Sequence, residues 1–219
     1  MTPVIIYEDN HLLVVQKPPG FLAQPDGSPR PDLLTWAGDY LARNKPGRAY
    51  VGLTHRLDRA VGGVMALAKT SKAAARLSRQ FRERTVDKIY LALVEGRPAD
   101  ESGRLGQTLF RDCTLTRPAR PGEKGTPAAL EWRVEGPAGD LTLLRVRLLT
   151  GFKHQIRAQL TSLGLPIAGD IRYGGRLSGP GPAIGLWASS LSLDHPTLKD
   201  RRTFEAPPAP TIWPWSLIC

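Results

Sequence analysis

Short apolar runs closed by polar or Gly/Pro-rich turns recur along the whole chain, and none approaches the ~18 residues a bilayer span needs. This pattern restricts the fold to strands joined mainly as hairpins, with few helices between them. Val4-Ile5-Ile6-Tyr7 and Leu12-Leu13-Val14-Val15 flank Glu8-Asp9-Asn10 as a hairpin, which Lys17-Pro18-Pro19-Gly20 then closes. The Pro-, Gly-, Ser- and Asp-rich stretch from Ala23 to Pro31 reads as a loop. Leu33, Ala37 and Leu41 then recur at helical spacing between Pro31 and Pro46-Gly47. Val64 to Lys69 reads as a buried strand, followed by a helix capped by Thr70 or Ser71 and running to about Thr85. Its inner face holds Ala73, Leu77 and Phe81, and its outer face Lys72, Arg76, Arg79 and Arg82. Lys88 to Glu95 is a further strand, and Ala128–Val134 pairs with Leu141–Leu149 across Gly136-Pro137-Ala138-Gly139.

Between them, Pro98 to Thr126 carries Arg104, Arg111, Arg117, Arg120 and Lys124, and reads either as a mobile basic arm or as a surface hairpin. A short helix spans about His154 to Leu163, a long strand Ala183 to Leu193, and the Pro/Trp-rich tail with Trp213 and Trp215 is expected to dock onto the domain. The class is α+β: a mostly antiparallel mixed sheet flanked by helices and loops, in a single domain over residues 1–219.

Charge narrows the function. Lys and Arg number 30 against 20 Asp and Glu, a formal charge of +10. Such an excess favours polyanions, because each phosphate neutralised releases condensed counterions; a basic surface serving solubility is the alternative. Cys113 and Cys219 are the only cysteines, too few for a disulfide framework or a Cys-rich zinc site. His11, His55, His154 and His195 are scattered, and no pair has the spacing of metal ligands. Glu8 and Asp9 follow the start without a basic segment before them, so no signal peptide is read and a cytoplasmic location is expected.

Four segments could carry chemistry. In Gly52 to Gly63, Asp58 lies between Arg56 and Arg59, cations that favour an ionised carboxylate suited to a nucleophile or a base. A structural Arg–Asp–Arg network has the same composition. In Lys88-Ile89-Tyr90, Lys88 and Tyr90 share one strand face, where the ring either packs in the core or stacks on an extruded base. In Leu149 to Leu160, a glycine turn opens a helix with Ile156, Leu160 and Leu163 along one side and His154, Arg157 and Thr161 along another. Such a helix lines a site or is simply amphipathic. Gly164 to Gly175 does not match a phosphate-cradling loop and reads as structural support.

In this order, the segments resemble the RluA-like family of RNA pseudouridine synthases. The HRLDR motif stands as His55-Arg56-Leu57-Asp58-Arg59, K-x-Y as Lys88-Ile89-Tyr90, and TGxxHQ[IL]R as Thr150 to Arg157. Gly164 to Gly174 matches G-x-P-I-x-GD-x-x-Y-G. Lys17-Pro18-Pro19-Gly20, His195-Pro196 and Phe204 to Pro207 resemble the family's start and close. Two departures stand out. Ala60-Val61-Gly62-Gly63 replaces a variable residue followed by Thr-Ser-Gly, and Phe152-Lys153 replaces Arg-Thr.

The resemblance implies the pseudouridine synthase fold and an enzyme that breaks the C1′–N1 bond of a uridine in ribosomal or transfer RNA, turns the uracil and rejoins it through C5. It implies no cofactor and no metal. Asp58 is the catalytic carboxylate, Arg157 its ion-pair partner, and Tyr90 the ring beneath the uracil. Arg56 fills the space of the flipped nucleotide, with His55, Arg59, Lys88, Lys153 and His154 expected along the RNA. The family's N-terminal RNA-binding domain of the S4 type is not expected, since the first strand starts at Val4. A monomer is the expected state. Two rivals remain: a non-catalytic RNA-binding or ribosome-assembly protein on the same scaffold, and a hydrolase or nuclease using Asp58 and His154.

Overall fold

The computed structural model describes residues 1–43, 49–112, 115–177 and 179–217. In chain order the elements are β1 (Val4–Glu8), β2 (Leu12–Lys17), α1 (Leu33–Ala42), β3 (Gly52–Leu53), β4 (Gly62–Ala68) and α2 (Ser71–Glu83). There follow β5 (Asp87–Glu95), β6 (Ser102–Arg111), β7 (Thr116–Pro118), β8 (Thr126–Ala138), β9 (Leu141–Leu148), α3 (Gln155–Ser162), β10 (Leu186–Asp194) and β11 (Arg201–Glu205). Short 3₁₀ turns lie at Ile171–Tyr173 and Trp215–Leu217. The expected helix stop at Pro46-Gly47 and the residues Cys113 and Cys219 lie outside the described residues. No helix among those described is long and apolar enough to cross a membrane.

The chain divides into two compact units, residues 1–87 with 188–207, and residues 88–187 with 208–219. In the first, β1, β2 and β4 pair antiparallel in that order, β3 also pairs with β4, and β11 pairs with β10. All of β4 is buried, as its unbroken apolar run requires. The turn between β1 and β2 is closed by Asp9, whose carboxylate accepts the N–H groups of His11 and Leu12, each at 2.7 Å. Gly63, opposite Lys17 in the ladder, has φ +122°, and a Cβ there would collide with the backbone of Ala188. Only glycine fits that crossing. Thr70 caps α2 by accepting the Ala73 N–H at 3.1 Å, as the sequence leads one to expect.

In the second unit, β5, β9, β8, β6 and β7 pair antiparallel in sequence. The basic stretch after Pro98 is therefore built into the sheet as a hairpin, since β6 pairs with β8 from Ser102 to Leu109. The β8–β9 turn is shorter than expected: Gly136 to Ala138 belong to the strand, with Glu135 bulged out of register, and the turn is Gly139-Asp140. Leu163, expected inside, is 42% exposed, because α3 buries Gln155 to Leu160 on every side and ends at Ser162. The long strand starts at Leu186 where Ala183 was expected, because the chain bends at Gly185, whose N–H is held by Ala168 O at 2.7 Å while its own carbonyl accepts the Leu93 N–H at 2.7 Å. The Trp-rich tail docks as expected: Trp215 and Ile212 enter a core with Leu93, Leu141, Ala168 and Trp187.

Candidate active site

In the first unit the HRLDR segment bridges β3 and β4 as an anchored loop. The His55 ring stacks on Phe81 of α2 at 4.5 Å, and its Nε2 accepts the Ala66 N–H at 3.0 Å. Thr54 Oγ1 donates to Ala66 O at 3.3 Å. Past the motif, the Val61 N–H donates to Asp58 O at 3.0 Å, and the Gly20 N–H donates to Arg59 O at 2.8 Å. The loop is thus pinned on both sides of Asp58 by partners that do not use the carboxylate. Arg56 and Arg59 are exposed, Leu57 is buried, and Asp58 is half-buried. The departure at Val61 has a local account. Its side chain is buried and its amide closes the turn, so apolar packing and a backbone bond hold the chain there.

Lys17, which sequence reasoning passed over as the end of a strand, is completely buried. Its Nζ donates to Phe21 O at 2.9 Å and Pro18 O at 3.1 Å. Burial drives its pKa down to about 7, against the pull of the Asp58 charge, which raises it, and with a push from Arg59. The signal lay in Lys17-Pro18-Pro19-Gly20, where a cation ends an apolar strand and the prolines and glycine turn the backbone carbonyls back onto it.

In the second unit, Tyr90 lies buried at the middle of β5 opposite Val146 of β9, two residues along the same face from Lys88. Lys88 Nζ donates to Thr150 O at 3.3 Å. Thr150 and Gln155 of the third motif close its turn: Gln155 Oε1 accepts Thr150 Oγ1 at 2.8 Å and the Phe152 N–H at 3.0 Å. Gln155 Nε2 donates to Ala129 O at 3.0 Å. His154 adopts φ +56° just before α3, and Lys153 is exposed beside it.

Arg157 forms a deeply buried ion pair in this unit. It donates through Nε and Nη2 to the two carboxylate oxygens of Asp170, at 2.6 and 2.8 Å, with the side chains 8% and 1% exposed. This bidentate geometry fixes the guanidinium plane. The Tyr173 ring lies against the same guanidinium, 4.7 Å from its centroid. The Tyr173 hydroxyl accepts the Thr116 N–H at 3.0 Å and hydrogen-bonds His154 Nδ1 at 2.9 Å, while Thr161 Oγ1 donates to Tyr173 O at 2.9 Å. His154, Arg157 and Thr161, expected along one side of the helix, therefore converge on one tyrosine. The fourth segment supports Arg157 and His154 directly, through Asp170 and Tyr173, positions that the sequence offers only as generic loop support. Of the expected site residues, the structure groups His55, Arg56, Asp58 and Arg59 in the first unit and Lys88, Tyr90, Lys153, His154 and Arg157 in the second. Among the described residues no cluster of His, Cys, Asp or Glu is arranged to hold a metal ion.

A family model described as RNA pseudouridylate synthase matches residues 11–162. The dual-specificity RNA pseudouridine synthase RluA of Escherichia coli K12 is 36% identical over 211 residues, covering 93% of this chain and 92% of that one. The ribosomal large subunit pseudouridine synthase D of Pseudomonas aeruginosa is 32% identical over 98% of this chain and 71% of its own. Among solved structures, human RNA pseudouridylate synthase domain containing 1 superposes with a TM-score of 0.76 at 25% identity, covering 98% of this chain and 86% of that one. With a matching family model over most of its length and relatives at 32–36% identity covering more than nine-tenths of this chain, the chain belongs to the RluA-like family of RNA pseudouridine synthases.

Proposed function

We propose that this RNA pseudouridine synthase converts a chosen uridine of ribosomal or transfer RNA to pseudouridine, with Asp58 as the essential carboxylate. The observation that carries the reading is the pinned loop: backbone and ring contacts flanking Asp58 fix its position while leaving its carboxylate half-buried. A carboxylate held in that manner is pre-organised for attack or proton transfer. The reaction breaks C1′–N1 and forms C1′–C5; N1 gains a proton and C5 loses one, so atoms balance with no redox partner. Asp58 acts at the ribose or the base, as nucleophile or general base. Arg157, immobilised by Asp170, supplies the cation that the family resemblance pairs with Asp58. Tyr90 lies beneath the uracil, and the exposed Arg56 fills the stack vacated by the flipped nucleotide. Arg59, Lys88, Lys153 and His154 line the RNA, and His55 acts chiefly by anchoring the loop. The reading uses no cofactor and no metal, and takes the chain as a monomeric catalytic domain acting in the cytoplasm.

Carbodiimide mapping with primer extension, on RNA from cells with and without the gene, tests this. A stop that vanishes with the gene and returns with wild type but not with Asp58→Asn is the expected result. If no RNA loses a site, catalysis is refuted and a non-catalytic RNA-binding role takes its place.

A further inference from the structure

The exposed side of α2 carries Lys72, Arg79 and Arg82, with Arg84 at its C-terminal end, and Glu83 as its only acid. None of these four bases has a carboxylate partner among the described residues. Elsewhere in the same unit several bases are paired, Arg30 with Asp26, Lys69 with Glu8, Arg201 with Asp87 and Asp194, and Arg202 with Asp200, whereas the exposed Arg56 and Arg59 of the reactive loop are not in such pairs among the described residues. Arg76, on the same helix, is occupied by Pro196 O at 2.7 Å.

Arg82 in the last turn suits the helix dipole, but the rest of the arrangement works against the helix. Like charges at i,i+3 and i,i+4, as in Lys72–Arg76–Arg79–Arg82, each cost a few tenths of a kcal/mol in an isolated helix. Lys72 sits in the first turn, where no acidic residue is present and the helix dipole disfavours a cation. Arg84 takes the left-handed capping conformation, φ +61°, at the position where glycine is the unstrained choice. An ordinary solvated helix interleaves its charges, and this one is basic along its exposed side up to Glu83 at its last residue despite these local penalties. The helix also lies beside the reactive loop, because Phe81 is the residue on which His55 stacks.

We infer that the outer face of α2 is a phosphate-binding rail that holds the RNA strand leading to the Arg56–Asp58 loop. This rests on the function proposed above, extending it from chemistry at one base to retention of the flanking backbone. Thirteen residues of helix span about 20 Å, enough for roughly three nucleotide steps of a backbone running alongside. The contacts are with phosphates, so the rail contributes affinity and salt dependence rather than sequence choice.

The test uses the full chain and fluorescently end-labelled bulk transfer RNA, with anisotropy measured from about 50 to 300 mM salt. Arg79→Glu/Arg82→Glu should weaken binding at least tenfold near 0.1 M salt and lower the log–log salt slope by about 1.5 to 2. Arg79→Gln/Arg82→Gln provides a milder pair should the reversal fail to fold, expected to weaken binding severalfold. Arg30→Glu/Arg97→Glu makes the same net charge change at ion-paired surface positions and should bind as wild type does. Unchanged affinity and slope in the α2 variants, or an equal loss in the Arg30/Arg97 control, would overturn the rail. Tritium release from [5-³H]uridine-labelled RNA by wild type is run in parallel and reads the proposed reaction alone. An inactive wild type whose RNA binding still depends on α2 would refute catalysis and keep the rail.

Discussion

Lys17 and Arg157 are both buried cations, and their surroundings give them opposite tasks. Arg157 has a carboxylate matched to its fork, so removing one partner strands a charge. Asp170→Asn should cost about 3–5 kcal/mol in urea unfolding, whereas Arg157→Met/Asp170→Leu should recover much of that stability and none of the activity. Lys17 donates to two carbonyls, and burial outweighs the pull of the Asp58 charge, which leaves it near neutrality at physiological pH. Its folded pKa of about 7 lies below the ordinary value of 10.5, so the unfolded chain binds the extra proton between those values. Stability of the wild type relative to Lys17→Met should therefore rise with pH across that window, by up to about 1.4 kcal/mol per pH unit, and be flat below it. Urea melts of both proteins at pH 6, 8 and 9.5 check the sign. Neither role could be read from residue type. The GD-x-x-Y spacing was visible, but which arginine it would meet depended on a loop folding back across α3.

At the scale of elements, periodicity served best where one face is buried and the other wet. The β1–β2 hairpin, α2 with its Thr70 cap and β5 all stand where alternation and capping residues put them. It served worst where a helix is buried on every side or a strand carries its own turn residues. In α3 the second half of the expected stripe, Leu163, lies past the helix end, and in β8 the Gly136-Pro137 pair that signals a turn is absorbed by a bulge. The basic hairpin of β6 and β7 was equally open to an arm reading, because pairing with β8 is a long-range event that local composition does not encode. Gly63 is the sharpest element-level requirement. Gly63→Ala adds a Cβ where the Ala188 backbone already stands, at a φ that alanine resists, and should cost at least roughly 2 kcal/mol. A thermal melt that falls by only a degree or two would show that β4 can shift aside.

For the whole molecule, residues distant in sequence close each unit. Asp9 in the first hairpin accepts the Tyr7 hydroxyl at 2.8 Å and meets His195 Nε2 at 2.7 Å, while His195 Nδ1 accepts the Leu198 N–H at 2.9 Å. Burial works to raise the Asp9 pKa, but the amides of His11 and Leu12, Tyr7 and His195 outweigh it and hold it at about 2. Because the folded pKa lies below the ordinary 3.8, this stabilisation is present above about pH 4 and is lost as pH falls towards 2. Asp9→Asn should lower stability at pH 7 and flatten the acid limb of the pH–stability curve between those values. In the second unit, Trp215→Ala opens a void against Trp187 and should cost about 3–5 kcal/mol.

The same closure has a consequence for synthesis. Both units are completed by late segments, 188–207 for the first and 208–219 for the second, with Trp215 filling the core beside Leu93. A nascent chain stalled before residue 188 lacks the closing piece of either unit. Neither hydrophobic core can then seal until its late segment has been made and has cleared the exit tunnel. Stalled chains ending before and after Trp215, compared for protease resistance, would place the moment of closure on that single side chain.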